Sequence, residues 1–286
     1  MREVAAAGLD GVRLATALLQ RARRADAVVG LWEAADVQWW WRKPRLSDEV
    51  EKLFWLDDDG PVAGALLTSW ADDAWQVDPI VVPGAPHPAP DEVWRRALEH
   101  GRLHATGVLD VAVGSGDPAF GELPLRAGLV ATQHDSTAWM EATARPPVLD
   151  LPEGFVLIDR AERRDAPHPM RHRNGPAVAR RLAECSLYDP ELDLAVETTD
   201  ARLAGYSLYW FDATTGVGLV EPVRIEDEFQ RRGLARAMLS AGIARLVDRG
   251  ATRVKISFES EAAGALYRGL GFVPMSTTTW YRVGPP

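Results

Sequence analysis

The 286-residue chain has a single cysteine, Cys185. No disulfide can form within it, and a reducing setting is expected. Cys185 itself reads as a small buried side chain rather than a nucleophile. No apolar run approaches the ~18 residues that a membrane-spanning helix needs. The opening Met1-Arg2-Glu3-Val4 lacks the apolar core of a secretory signal. A cytoplasmic protein without a membrane partner is therefore expected. Basic excess is lacking as well. The net charge is −9, with 14 Lys+Arg against 23 Asp+Glu in residues 1–150 and 18 of each in residues 151–286. A nucleic-acid partner, which would call for a basic face, is not expected. The acidic first half serves solubility, or attracts a cationic substrate such as an amine. Metal-ligand groupings are scarce. His168 and His172 stand four apart, but Pro167 and Pro169 disfavour a helix there and no third ligand is evident, so no metal is expected.

The chain contains two copies of one pattern. Pro61–Leu67 matches Arg202–Leu208, Val77–Val81 matches Val220–Arg224, Val108–Val113 matches Arg253–Phe258, and Gly128–Val130 matches Gly271–Val273. The separation stays between 141 and 145 residues. Between the copies, Ala144–Pro152 carries prolines that block regular structure. We therefore expect two tandem domains, residues 1–145 and 154–286, joined by a linker at 146–153. In the second copy the sequence predicts strands over Phe155–Asp159, Leu192–Glu197, Arg202–Phe211, Val217–Ile225, Arg253–Phe258 and Thr277–Val283. It predicts helices over Ala235–Arg249 and Ala262–Gly269, with helical spacing also at Ala177–Leu187.

The densest chemical signal is Gln230-Arg231-Arg232-Gly233-Leu234-Ala235. It joins a β-branched strand to a helix through a turn containing one glycine. That geometry cradles a phosphate: glycine admits close approach, the helix start offers unpaired N–H groups, and two arginines add fixed charge. The first copy has Pro83-Gly84-Ala85-Pro86-His87-Pro88-Ala89-Pro90 instead. Proline cannot donate, so this loop reads as a degenerate site and the first domain as structural, a wall for an acceptor pocket.

Further along the second copy come Glu221-Pro222-Val223-Arg224-Ile225 and Ala263-x-x-Leu266-Tyr267-x3-Gly271-Phe272. Over about residues 154–283 this succession resembles the GNAT superfamily of acyl-CoA-dependent N-acyltransferases. The resemblance implies an α/β (mixed α+β) fold, in which each domain is a twisted mixed sheet flanked by helices. It implies acetyl-CoA as co-substrate, with backbone amides of Arg231, Arg232, Gly233, Leu234, Ala235 and Arg236 on its pyrophosphate. It also implies that Val223, Arg224 and Ile225 lie along the pantetheine arm. The family often has asparagine seven residues before the tyrosine; here Ser260 stands in that place and is expected to contact the cofactor.

Acyl transfer to an amine needs a polarised carbonyl, a base and an acid. The Val223 N–H is the candidate oxyanion donor. Tyr267 is the candidate acid for the departing sulfur. Glu221, in alternation with Val223 and Ile225 unless Pro222 marks a bulge, is the candidate base. The acceptor is read as a small-molecule amine or a protein amino group, acylated directly in a ternary complex by a monomer or homodimer. Alternatives are an acetyltransferase of the mycothiol-synthase group, which is similar in its two-copy layout, and a CoA-binding sensor without catalysis. Two further features stand apart. Trp39-Trp40-Trp41 cannot all share one face, and is read as interface or acceptor pocket. Arg163, Arg164, Arg171, Arg173, Arg180 and Arg181 form a basic strip, read as a solvated face or an anion grip.

Overall fold

The two crossover helices of this chain each lie between strands that must run parallel, which fixes the order of the sheet around them. In the computed structural model, which describes residues 1–284, the elements are β1 (Arg2–Ala6), α1 (Gly8–Ala25), α2 (Ala34–Trp40), β2 (Lys52–Asp57), β3 (Gly60–Ala71), β4 (Ala74–Val81), α3 (Pro90–His104), β5 (Val108–Gly114), α4 (Leu123–Arg126) and β6 (Val130–Glu141). The chain continues with β7 (Phe155–Asp159), α5 (Arg171–Asn174), α6 (Val178–Ala183), β8 (Asp193–Thr198), β9 (Leu203–Asp212), β10 (Val217–Ile225), α7 (Leu234–Asp248), β11 (Arg253–Phe258), α8 (Glu261–Arg268) and β12 (Val273–Val283).

Two compact units result. The first comprises Met1–Val37, Pro44–Ser136 and the stretch from Ser276 onward; the second comprises Gln38–Lys43 and Thr137–Met275. In the first, the strand order is β1-β2-β3-β4-β5-β12; in the second, β7-β8-β9-β10-β11, with β6 next to β11. β4 and β5 pair in parallel across α3, and β10 and β11 pair in parallel across α7. A parallel pair needs such a crossover because a tight turn can only reverse the chain. The pairs β1–β2, β2–β3, β3–β4 and β5–β12 of the first unit and β7–β8, β8–β9 and β9–β10 of the second are antiparallel, which makes each unit a mixed sheet with helices on it.

These units do not coincide with the contiguous domains 1–145 and 154–286 expected from sequence. The last strand of the chain belongs to the first unit, where Thr278–Val283 of β12 pair antiparallel with Gly114–Leu109 of β5. Strand pairing is set by which edge is open, not by sequence proximity, so the linker prolines mark a chain transition without marking the whole boundary. The tryptophan run divides differently again. Gln38–Lys43 belongs to the second unit, where the Arg181 guanidinium stacks 3.6 Å from the Trp41 ring and that of Arg42 3.7 Å from Trp39.

Each unit has its own core. In the first, Val62, Leu67, Val77, Val93, Leu98 and Val111 are buried together. In the second, Leu194, Val196, Tyr209, Met238, Ile243 and Val254 are. On α7, Met238, Leu239, Ile243 and Leu246 form a buried stripe, as the 3.6-residue period requires. One contact sets how closely α7 lies on the sheet. The ring of Tyr209 from β9 sits under Gly242, where an added Cβ would lie 2.0 Å from the ring. The same tyrosine donates from its hydroxyl to the Met238 carbonyl at 2.9 Å. Glycine at 242 is thus required by space, although it weakens the helix by ~1 kcal/mol relative to alanine.

Gly242→Ala is expected to destabilise the second unit by about 1–3 kcal/mol through overpacking. A denaturant titration of the full chain followed by circular dichroism checks this. An unchanged midpoint would contradict the close approach of Tyr209.

Candidate active site

The second unit opens along one line of its sheet. β10 pairs with β11 only over Val217–Leu219 and Arg253–Lys255. Toward β9, the register shifts between Val220 and Val223: Val220 faces Tyr209 and Val223 faces Ser207, so β10 carries one residue more than its partner. Pro222 lies within this bulge. Proline cannot donate to a ladder, and a bulge is where a strand accommodates that loss. Beyond it β10 runs on to Ile225 without β11 alongside.

Into the resulting gap opens a cleft of about 500 Å³. Val223, Arg224 and Ile225 line one side, Ala262, Ala263, Leu266 and Tyr267 of α8 the other, and Gln230, Arg231 and Gly233–Arg236 its end. This end is built as an anion nest. Arg231 has φ 64° and Gly233 φ 84°, so left-handed residues alternate just before α7. Such alternation turns successive N–H groups toward one point. The first amide of α7 to reach a carbonyl of its own turn is Ala237, which donates to Gly233 at 3.1 Å. Among the described residues, the amides of Arg231 through Arg236 make no hydrogen bond to the protein. Gln230 braces the turn, donating to the Ile225 carbonyl at 3.2 Å and to Asp227 at 3.0 Å.

Tyr267 stands across from β10, 8% exposed and edge-on to Phe258 and Phe272. Burial, with the Glu221 carboxylate nearby, pushes its phenol up to about 12. The phenol therefore remains protonated, and able to donate, throughout the neutral range. Val220 and Phe229 complete the apolar surroundings.

Several expectations need amending. Ser260 does not line the cleft; it is the N-cap of α8, its hydroxyl accepting from the Ala263 amide at 3.2 Å. Serine before a helix is favoured for this reason alone. Glu221 does not line the cleft with Val223 and Ile225, because the extra residue at the bulge shifts the alternation between them. Arg236 is in the nest by its backbone, while its side chain packs near Gly269 at the end of α8. The basic strip is largely matched by carboxylates: Arg163 pairs with Glu197, Arg173 with Glu226 and Arg180 with Glu184, and Arg181 is buried on Trp41. His168 is buried, bonded to Asp193 at 2.9 Å, and His172 lies on exposed α5. Cys185 is buried and its thiol is pushed up to about 12 by desolvation, which makes it unreactive. Phe229 and Ala262 line the cleft although the sequence reading omitted them. A signal for Ala262 existed, since it lies four residues before Leu266 on one helix face; Phe229 had none.

This combination of a splayed parallel pair, a nest at a helix start and a facing tyrosine defines a class. Residues 158–272, within the second unit, match the acetyltransferase (GNAT) family. The chain as a whole has the tandem form of the fold. It superimposes on a tandem GNAT protein from the clavulanic acid biosynthesis pathway with a TM-score of 0.70 at 16% identity, over 100% of this chain and 99% of that one. Curated relatives point to one group. The mycothiol acetyltransferase of Clavibacter michiganensis subsp. michiganensis is 29% identical over 180 residues, 61% of this chain and 52% of the relative. That of Tsukamurella paurometabola is 34% identical over 117 residues, 37% of this chain and 39% of the relative. The chain thus spans about half or less of the length of the curated relatives it matches.

Gly233→Val places a branched side chain at a φ that glycine alone adopts freely. No neighbouring atom lies within 4 Å of the added Cβ, so the effect is on the turn and not on packing. We expect coenzyme A affinity to fall at least tenfold by calorimetry, with unchanged far-UV circular dichroism. Equal affinity would remove the nest from the binding site.

Proposed function

We propose that this protein is an acetyl-CoA-dependent N-acetyltransferase whose second unit acetylates a small-molecule primary amine, with an acceptor of the mycothiol type. The observation that carries the chemistry is the gap beyond Leu219, closed at one end by unbonded amides and faced by a protonated tyrosine. The choice of acceptor rests on the mycothiol acetyltransferases among the relatives. That reading is favoured over a general amine or protein acetyltransferase.

In this reading the amides of Arg231 through Arg236 hold the pyrophosphate, Arg231 and Arg232 supply charge, and the pantetheine arm lies along Val223–Ile225 in the place of a missing strand. The thioester carbonyl then sits at the bulge, with the Val223 N–H as donor to the developing oxyanion. One such donor contributes about 3 kcal/mol. The acceptor arrives as an ammonium and gives one proton, through water, to Glu221. The free amine attacks the carbonyl carbon, a C–N bond forms, and the C–S bond breaks. Tyr267 gives its phenolic proton to the departing sulfur and recovers one from the nitrogen. The products are the amide and free thiol, and one proton passes from Glu221 to solvent. The first unit takes no part in these steps. Where the second has its nest, the first has Pro90 at the start of α3, with Asp91 and Glu92 in the first turn. Acids there oppose an anion.

Incubation with acetyl-CoA and a panel of amines that includes deacetylated mycothiol tests the reading, with free thiol as readout. Release with that acceptor above all others is expected. Release favouring simple amines or peptides would overturn the acceptor, and tight coenzyme A binding without release for any amine would make the chain a sensor. For Tyr267→Phe we expect kcat to fall at least tenfold while KM for acetyl-CoA stays within threefold. Unchanged kcat would remove the tyrosine from the mechanism.

A further inference from the structure

The first unit has a cavity of its own, of about 270 Å³, beside the segment Asp78–Ala85. Its walls are apolar, with Leu19, Leu31, Ile80, Val82 and Phe120 among them, and the Trp32 ring also faces it. Asp78 lies in this lining and is 1% exposed. Its carboxylate accepts from the Gln76 side-chain amide at 2.7 Å to each oxygen, and from the Trp32 indole N–H at 2.9 Å. All these donors are neutral. Among the described residues no guanidinium or ammonium is bonded to it. A buried carboxylate without a cation is costly, and proteins seldom keep one unless something compensates it.

The other charged groups around the cavity do not supply that cation. Arg23 from α1 lines it, but its guanidinium is clamped on Glu33 at 2.6 and 3.0 Å and on the carbonyls of Asp26 and Val29. Asp36 of α2, whose charge acts on Asp78, accepts from the Glu33 amide. Asp117 accepts from the amides of Ala119 and Phe120. With Arg23 and Glu33 cancelling, the surroundings are acidic throughout. The start of α3, in contrast to that of α7, bears Asp91 and Glu92, and its Glu92 and Val93 amides are already bonded to Ala89. Nothing here welcomes an anion.

We propose that this cavity is a binding site for a small organic amine with an apolar, ring-sized body, the ammonium pairing with Asp78 and the body lying against Trp32 and the aliphatic wall. The volume fits: a ~150 Å³ apolar cavity holds one benzene ring, so this one takes a ring with a short aminoalkyl arm. The pair forms in a desolvated site, where charge attraction is far stronger than in water. The site does not depend on the transfer reaction assigned to the second unit.

Burial raises the Asp78 carboxyl to about 7 when no cation is bound. An ammonium requires the ionised form, so affinity is full above that value and is lost as pH falls through it. The probe is phenethylamine, titrated calorimetrically into the full-length chain. Binding at pH 8 is expected, about tenfold weaker at pH 6, as the ionised fraction of a group titrating near pH 7 falls. The neutral isostere 2-phenylethanol is expected to bind at least tenfold more weakly at pH 8, which holds the test open if an Asp78 variant does not fold. Asp78→Asn should lose the amine, and Glu221→Gln should keep it, which separates this site from an acceptor site in the second unit. No binding of phenethylamine at millimolar concentration, equal binding of amine and alcohol, or loss in Glu221→Gln but not Asp78→Asn would each overturn the proposal.

Discussion

The separation of β10 from β11 after Leu219 is the constraint on which the second unit's site depends. Backbone groups inside a sheet are normally consumed by neighbouring strands. Here a bulge at Glu221–Pro222 moves β10 out of register, and α8 rather than β11 occupies the far side of the opening. The strand then has an open edge in a partly apolar cleft, which is a template for an extended, amide-bearing ligand arm. In the proposed reading, the nest at Arg231–Arg236 fixes the polyanionic end of such a ligand. Tyr267 is held between Phe258 and Phe272, so its phenol is buried, neutral and fixed in direction. In the proposed reading, holding, donation and leaving-group protonation all follow from one break in a ladder.

The first unit repeats this architecture with a different turn. β4 and β5 pair in parallel, and α3 crosses between them, as β10, β11 and α7 do. The turn differs. Prolines fill the loop, acids occupy the first helical turn, and the Glu92 amide is bonded to the Ala89 carbonyl. The cavity left beside β4 is apolar with a buried acid, where the other unit has an open cleft ending in cations and free amides. Two copies of one topology therefore present opposite electrostatic faces.

Local signals in the sequence were strong where local physics decides. Phe155–Asp159, Val217–Ile225 and Arg253–Phe258 were legible to the residue, because β-branched runs bounded by turn residues leave little choice. The turn before α7 was legible as a strand–glycine–helix junction, because glycine admits the positive φ of 84° that Gly233 takes there. What could not be read depends on distant partners. Nothing in Ser276–Val283 says that it completes the sheet of the first unit, since any strand edge with matching sidedness would serve. Ser260 was assigned to a ligand, while its nearest unpaired donor, the Ala263 amide, claims it. The place of Glu221 turned on a bulge whose effect on alternation follows from Pro222 but whose position does not. Asp78 matched Glu221 in sequence, yet its partners Trp32 and Gln76 give it a different environment altogether.

The central claim is that main-chain amides at the start of α7, together with the open edge of β10, bind the coenzyme. Hydrogen exchange resolved to single amides, with and without coenzyme A, tests it most directly. Slower exchange at Arg231 through Arg236 and at Val223 in the presence of coenzyme A, with little change at Glu92 and Val93 of the first unit, is the expected result. Unchanged exchange at Arg231 through Arg236 while the coenzyme is bound would contradict the account.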